Sequence, residues 1–248
     1  MSHALWWLVT LALAPLAVPL ALRTRRTALR LPAAEGDVRG LAGAALPGEP
    51  LRLLLIGEST VAGVGVKTLD QALVACLAEA LAERLQRPVR WHACGENGIT
   101  AEQARERLLP VALTEPADLA LLVFGVNDTT HLTSSKRWSA ALRGMAMGLR
   151  EQGMAVAFSA VPPLQHFRAL PWLMRQLLGW RASLLDRELR AVAQEQQAQY
   201  CKLSLAFEAH YLAEDGYHPS ALGYQVWAQG LAECLAQAMD DRSIRCAG

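Results

Sequence analysis

Four short polar clusters, set in a chain that is about half hydrophobic, carry the side chains able to act on a substrate. Gly57-Glu58-Ser59-Thr60-Val61-Ala62-Gly63-Val64-Gly65 places a serine in a glycine-flanked turn. Such a turn can present a hydroxyl, together with the serine's own backbone N–H, at the end of a buried element. Near the C-terminus, Asp215-Gly216-Tyr217-His218-Pro219 puts a carboxylate three residues before an imidazole. That carboxylate can accept the proton of one ring nitrogen and leave the other free as a general base. Between them lie Ala93-Cys94-Gly95-Glu96-Asn97-Gly98-Ile99-Thr100 and Gly125-Val126-Asn127-Asp128. In the first, glycines let backbone N–H groups turn toward a ligand beside a helix start; in the second, an Asn amide is a neutral donor. Together the types fit attack by an activated serine with donors for the developing oxyanion.

Each cluster taken alone is also ordinary turn chemistry, and other glycine-rich motifs are tested first. A P-loop needs its first glycine where Val61 stands, and a dinucleotide fingerprint needs its third where Thr68 stands. A G-x-S-x-G elbow fails because its last position is again Val61.

The elements that must hold these clusters alternate. Short apolar runs at 51–56, 89–93, 119–124 and 155–160 read as buried strands, with a weaker one at 200–203. Helical spacing covers 69–85, 101–113 with Thr100 as N-cap, 139–150, 173–198 and 221–239. Alternation of this kind predicts a parallel sheet with helices on both faces, whose ligands sit at the carboxyl ends of the strands. Three of the four clusters fall at those ends.

At 248 residues the chain holds one such domain, over 51–248, with a short appendage. A formal charge of +1 with interspersed signs excludes a nucleic-acid face and favours a small-molecule substrate. Cys76, Cys94, Cys201, Cys234 and Cys246 are odd in number and form no C-x-x-C pair, so neither a zinc site nor a disulfide framework is suggested. Most are expected to be small buried hydrophobes, which leans toward a reducing compartment. His3, His92, His131, His166 and His210 show no metal-ligand spacing, and no metal or cofactor is expected.

Residues 1–30 form their own segment. An apolar run at 4–22 approaches the roughly 20 residues of a membrane-spanning helix, and Arg23, Arg25, Arg26 and Arg30 follow it. This reads as a membrane anchor, with the positive-inside rule placing the domain in the cytoplasm. Pro15, Pro19 and Ala12-Leu13-Ala14 keep a cleaved signal open, and with it a periplasmic or secreted domain. Residues 31–50, rich in Gly, Ala and Pro, read as a linker.

Taken in order, the four clusters resemble the blocks of the SGNH (GDSL-type) hydrolases. Gly57-Glu58-Ser59 is similar to the G-D-S block with Glu for Asp, Gly98 to the glycine block, Gly125-Val126-Asn127-Asp128 to G-x-N-D and residues 215–218 to D-x-x-H. The resemblance implies a flavodoxin-like three-layer α/β/α sandwich with about five parallel strands. It also implies ester hydrolysis with Ser59 as nucleophile, His218 as base, Asp215 as its orienter, and an oxyanion hole from the Ser59 and Gly98 N–H groups and the Asn127 amide. Gly95, three residues from Gly98, is the alternative match. A carbohydrate O-acetylesterase and an acyltransferase use the same machinery, and a membrane-tethered binding module without turnover is the non-enzymatic alternative. After the fourth strand, residues 161–174 are unusually apolar for a surface connection. Phe167 and Trp172 are therefore expected to bind substrate along an acyl groove suited to medium or long chains.

Overall fold

A computed structural model describes residues 2–202 and 208–246, with side chains as far as Met239. Leu203, the expected end of the last strand, and the Cys246 side chain lie outside that description. Six strands form one sheet in the order β1-β3-β2-β4-β5-β6: β1 (Arg39–Ala42), β2 (Leu51–Gly57), β3 (Val89–Gly95), β4 (Leu119–Val123), β5 (Ala155–Ser159) and β6 (Gln199–Cys201). The five from β2 onward are mutually parallel, as expected. β1 is added antiparallel to β3 from the segment read as a linker. Four residues on an edge carry too little periodicity to be seen in sequence, and Gly40 is there because the Trp91 indole lies across it, 2.3 Å from where a Cβ would stand.

The helices are α1 (His3–Ala12), α2 (Ala14–Thr27), α3 (Leu73–Leu85), α4 (Ala101–Arg107), α5 (Leu109–Ala112), α6 (Val126–Thr130), α7 (Ser135–Glu151), α8 (Trp172–Glu195) and α9 (Ala221–Cys246). Alternate side chains of each strand point to opposite faces. Leu53, Leu55 and Leu121 bury against α3 and α9, through Leu77, Leu81, Trp227 and Leu231. Leu54, Ile56 and Leu122 bury against α7 and α8, through Trp138, Leu142, Leu185 and Leu189. This is the flavodoxin-like α/β/α sandwich.

Several boundaries differ from expectation for local reasons. The 101–113 helix divides at Leu108, because Pro110 enters the first turn of α5 without an N–H to donate. α7 begins four residues early, where the Ser134 hydroxyl accepts the Arg137 N–H and the polar first turn hid the start. The glycine-flanked Asn127 and Asp128 sit on the short helix α6 instead of an open turn. Cys76 and Cys94 are buried as expected, but Cys201 on β6 and Cys234 on α9 form a disulfide across 33 residues. Spacing held no hint of that pair, since the sheet alone brings the two elements together.

The N-terminal apolar run is two helices bent by 85°, and no single helix among the described residues is long and apolar enough to cross a membrane. Pro15, in the first turn of α2, interrupts the hydrogen-bond ladder at the bend.

Trp138 is fully buried between α7 and α8, and its indole N–H donates to the Leu185 carbonyl at 3.1 Å. Trp138→Ala is expected to destabilise the domain by about 3–5 kcal/mol in urea unfolding, the scale of a large aromatic deleted from a packed core.

Candidate active site

Strand register decides where the polar clusters meet. Gly57 pairs with Gly95 on one side and with Val123 on the other, so β2, β3 and β4 end at one level of the sheet. The turn carrying Ser59, the loop through Gly98 and the start of α6 therefore leave from one edge. Gly57 itself must be glycine, because a Cβ would lie 2.6 Å from the Val123 carbonyl oxygen.

The fourth cluster arrives from a distant part of the chain. Gly65 adopts φ +108°, and a Cβ there would stand 2.3 Å from the Pro219 carbonyl oxygen. The 218–219 backbone thus lies directly on the serine loop. The same loop is tied to α9 by the Tyr224 hydroxyl, which donates to the Val64 carbonyl at 2.6 Å. Neither Gly65 nor Tyr224 was singled out in the sequence. The Gly-x-Gly spacing after Ser59 was visible, but its partner 154 positions away was not.

As a result His218 Nε2 lies 3.0 Å from Ser59 Oγ, and His218 Nδ1 lies 2.6 Å from Asp215 Oδ2. The other Asp215 oxygen accepts the N–H groups of Tyr217, at 2.9 Å, and His218, at 3.0 Å. Burial by itself would raise the Asp215 carboxyl, but these bonds to His218 and Tyr217 together hold it below the usual aspartate range. An ionised carboxylate facing Nδ1 favours the tautomer with a proton there, leaving Nε2 to accept from the serine.

Glu58 faces inward, 2% exposed, and its two oxygens accept the Val126 and Asn127 N–H groups at 2.9 Å each. The residue beside the serine thereby holds the first turn of α6 in place. The Asn127 side chain is fixed in turn, its amide donating to the Ile99 carbonyl at 3.1 Å and so lying beside the loop through Gly98. Asp128 closes the frame by accepting the Ala101 N–H at 2.9 Å, at the start of α4. Gly98 adopts φ +84° with open space where a Cβ would stand, whereas a Cβ at Gly95 would meet the Ala62 nitrogen at 2.4 Å. Gly95 serves the close approach of two loops; Gly98 is the glycine that faces outward.

Ser59 and His218 border a cavity of about 20 Å³ that Val126, Pro162, Phe167 and Tyr217 also line. The Phe167 and Tyr217 rings meet edge to face at 4.9 Å. Phe167 is thus where the sequence suggested, at the cavity wall. Trp172 is 66% exposed at the first position of α8 and is not among the residues lining the cavity. A short 3-10 turn at Leu164–His166 precedes Phe167, and beyond it Leu170 and Met174 pack against the core while Trp172 stays exposed.

The chain is similar to known proteins in family and in fold. The family model described as GDSL-like Lipase/Acylhydrolase matches residues 55–226. A GDSL-like esterase of Mycobacterium tuberculosis is 24% identical over 200 residues, covering 77% of this chain; the chain spans 64% of that relative's length. Among solved structures, TesA superposes with a TM-score of 0.63 at 21% identity, covering 74% of this chain and 97% of its own. Axe2, an acetyl xylan esterase from Geobacillus stearothermophilus, superposes at 0.60 and 16% identity, covering 75% of this chain and 94% of its own.

Burial pushes the Glu58 carboxyl up to about 8, against the opposing pull of its Asn127 and Val126 N–H bonds. A native carboxyl above its unfolded value retains a proton that the unfolded chain has lost, so its contribution to stability falls as pH rises from about 4.5 to about 8 and is level beyond. Glu58→Gln, which cannot titrate, should flatten the decline of melting temperature over that window; an unchanged slope would assign the decline to other groups.

Proposed function

Because the chain belongs to the GDSL-like lipase/acylhydrolase family, we propose that it is an ester-hydrolysing enzyme, that Ser59, His218 and Asp215 are its catalytic triad and that it acts on esters with a short acyl group. Ser59 Oγ attacks the ester carbonyl while its proton passes to His218 Nε2, and Asp215 stabilises the imidazolium. The Ser59 N–H, the Gly98 N–H and the second hydrogen of the Asn127 amide receive the oxyanion. Collapse of the tetrahedral intermediate expels the alcohol oxygen, which takes the proton from His218. Water, deprotonated by the same nitrogen, then releases the acid and restores the serine. The observation that carries this reading is the continuous contact from Asp215 to His218 at 2.6 Å and from His218 to Ser59 at 3.0 Å.

The size of the cavity bears on the acyl group. About 20 Å³ is room for one group the size of a water or a methyl. Phe167, buried and in edge-to-face contact with Tyr217, is one of its walls. This favours acetyl over the medium or long chains expected from the apolar character of residues 161–174, with Phe167 limiting acyl length and Trp172 taking no part in it.

Ser59→Ala should abolish hydrolysis of p-nitrophenyl acetate and labelling by a fluorophosphonate while leaving the unfolding midpoint in place; residual turnover near the parent rate would refute the nucleophile. Asn127→Ala should lower kcat roughly 10²- to 10³-fold, the scale of one lost oxyanion donor. A change confined to KM would make Asn127 a binding residue instead.

The parent enzyme is expected to prefer acetate over butyrate by about tenfold or more, the discrimination available to a small apolar pocket. Phe167→Ala should narrow or reverse that preference. Equal loss on both esters would show that Phe167 supports the fold alone.

A further inference from the structure

The N-terminal helices carry an apolar surface that no other described residue covers. Of the fifteen strongly exposed large hydrophobic side chains among the described residues, eight lie between Leu5 and Leu29. Leu8, Leu11 and Leu16 are each more than 60% exposed, and Leu22 is half exposed. Isolated exposed leucines are ordinary, but a concentration of this size marks an interaction surface. Its electrostatics identify what it meets. No Asp or Glu occurs before Glu35, while Arg23, Arg25, Arg26 and Arg30 are all exposed at and just beyond the end of α2. Apolar side chains flanked by uncompensated arginines complement an anionic phospholipid surface, where acyl chains lie beneath negative headgroups.

The way α1 is fastened to the domain says how that surface is used. Trp6 is 1% exposed, and its indole N–H donates to the Leu177 carbonyl on α8 at 2.8 Å. The guanidinium of Arg181, buried on the same helix, stacks 4.6 Å from the Trp6 ring and 5.8 Å from that of Trp7. His3 reaches Glu188 of α8 at 2.9 Å. Pulling α1 away to line up with α2 would expose Trp6 and uncover a buried cation. Neither helix replaces such a span alone, for at 1.5 Å per residue they measure about 15 and 21 Å against a hydrocarbon core of about 30 Å.

We propose that α1 and α2 bind in the plane of an anionic bilayer without crossing it, with α1 remaining docked on α8 so that the catalytic domain is held against the lipid surface. The proposal is independent of the ester chemistry, since none of these residues borders the cavity beside Ser59.

The test uses the full chain and sealed vesicles of phosphatidylcholine alone or with one quarter phosphatidylglycerol. The parent should float with the anionic vesicles at least about tenfold better than with the neutral ones. Leu8→Gln, Leu11→Gln and Leu16→Gln combined, and separately Arg23→Gln, Arg25→Gln and Arg26→Gln combined, should each reduce flotation about tenfold or more. All six positions are exposed, and p-nitrophenyl acetate turnover in the absence of lipid, expected to be unchanged, verifies that the variants fold. Topology is read from Ser2→Cys with a membrane-impermeant maleimide, using the parent's labelling as background. Labelling of intact vesicles from the side that bears the domain is expected. Labelling only after detergent would mean that the segment crosses the bilayer; flotation indifferent to lipid charge and to both sets of substitutions would mean that the surface is not a lipid contact; and a mass showing loss of residues 1–30 would mean a cleaved signal. Each of these overturns the proposal.

Discussion

The geometry around Ser59 depends on one close backbone approach, that of the 218–219 segment to Gly65. The serine loop leaves the sheet after β2, and the histidine loop precedes α9 near the other end of the chain. Only because residue 65 has no side chain can the Pro219 carbonyl occupy the space where a Cβ would be, and this sets His218 Nε2 within hydrogen-bond distance of Ser59 Oγ. The Tyr224 hydroxyl on Val64 adds a second, buried tie between the same loop and α9. A buried hydrogen bond of this sort contributes about 1 kcal/mol net, but its larger effect is geometric: it removes freedom from the loop that carries the serine.

Glu58 solves a related problem on the other side of the serine. α6 is only five residues long and its first N–H groups have no partners within the helix. The Glu58 carboxyl beside the serine accepts two of them, at Val126 and Asn127. The extra methylene of Glu relative to the family's usual Asp does not break this arrangement, because the longer side chain still reaches α6 with both oxygens. Burial raises its proton affinity while the two N–H bonds oppose that rise, so the position of Asn127 is coupled to a titratable group outside the lining of the cavity beside Ser59.

The apolar material outside the core divides into two kinds. Phe167 is buried and lines the cavity, whereas Trp172, five residues later, is turned to solvent. Likewise Trp6 is inserted against α8 while Leu8 and Leu11, on the same helix, face outward. Hydropathy treats the members of each pair alike. What separates them is the path of the backbone: a 3-10 turn between β5 and α8 in the first case, and the face that α1 presents to α8 in the second.

The sequence by itself determined the order of strands and helices, because buried parallel strands and amphipathic helices write their periods locally, and it marked Ser59, Gly98, Asn127, Asp215 and His218, because their types and spacing stand out within glycine-rich turns. It also marked Phe167 as a residue near the strand ends. The tertiary structure decided the rest. It chose Gly98 over Gly95 as the outward-facing glycine, since only contact with residues 61–62 forbids a side chain at Gly95. It added β1 from apparent linker, paired Cys201 with Cys234, and bent the N-terminal apolar run onto α8. Each of these rests on a contact between residues far apart in the chain, and such contacts leave no trace in local composition or spacing.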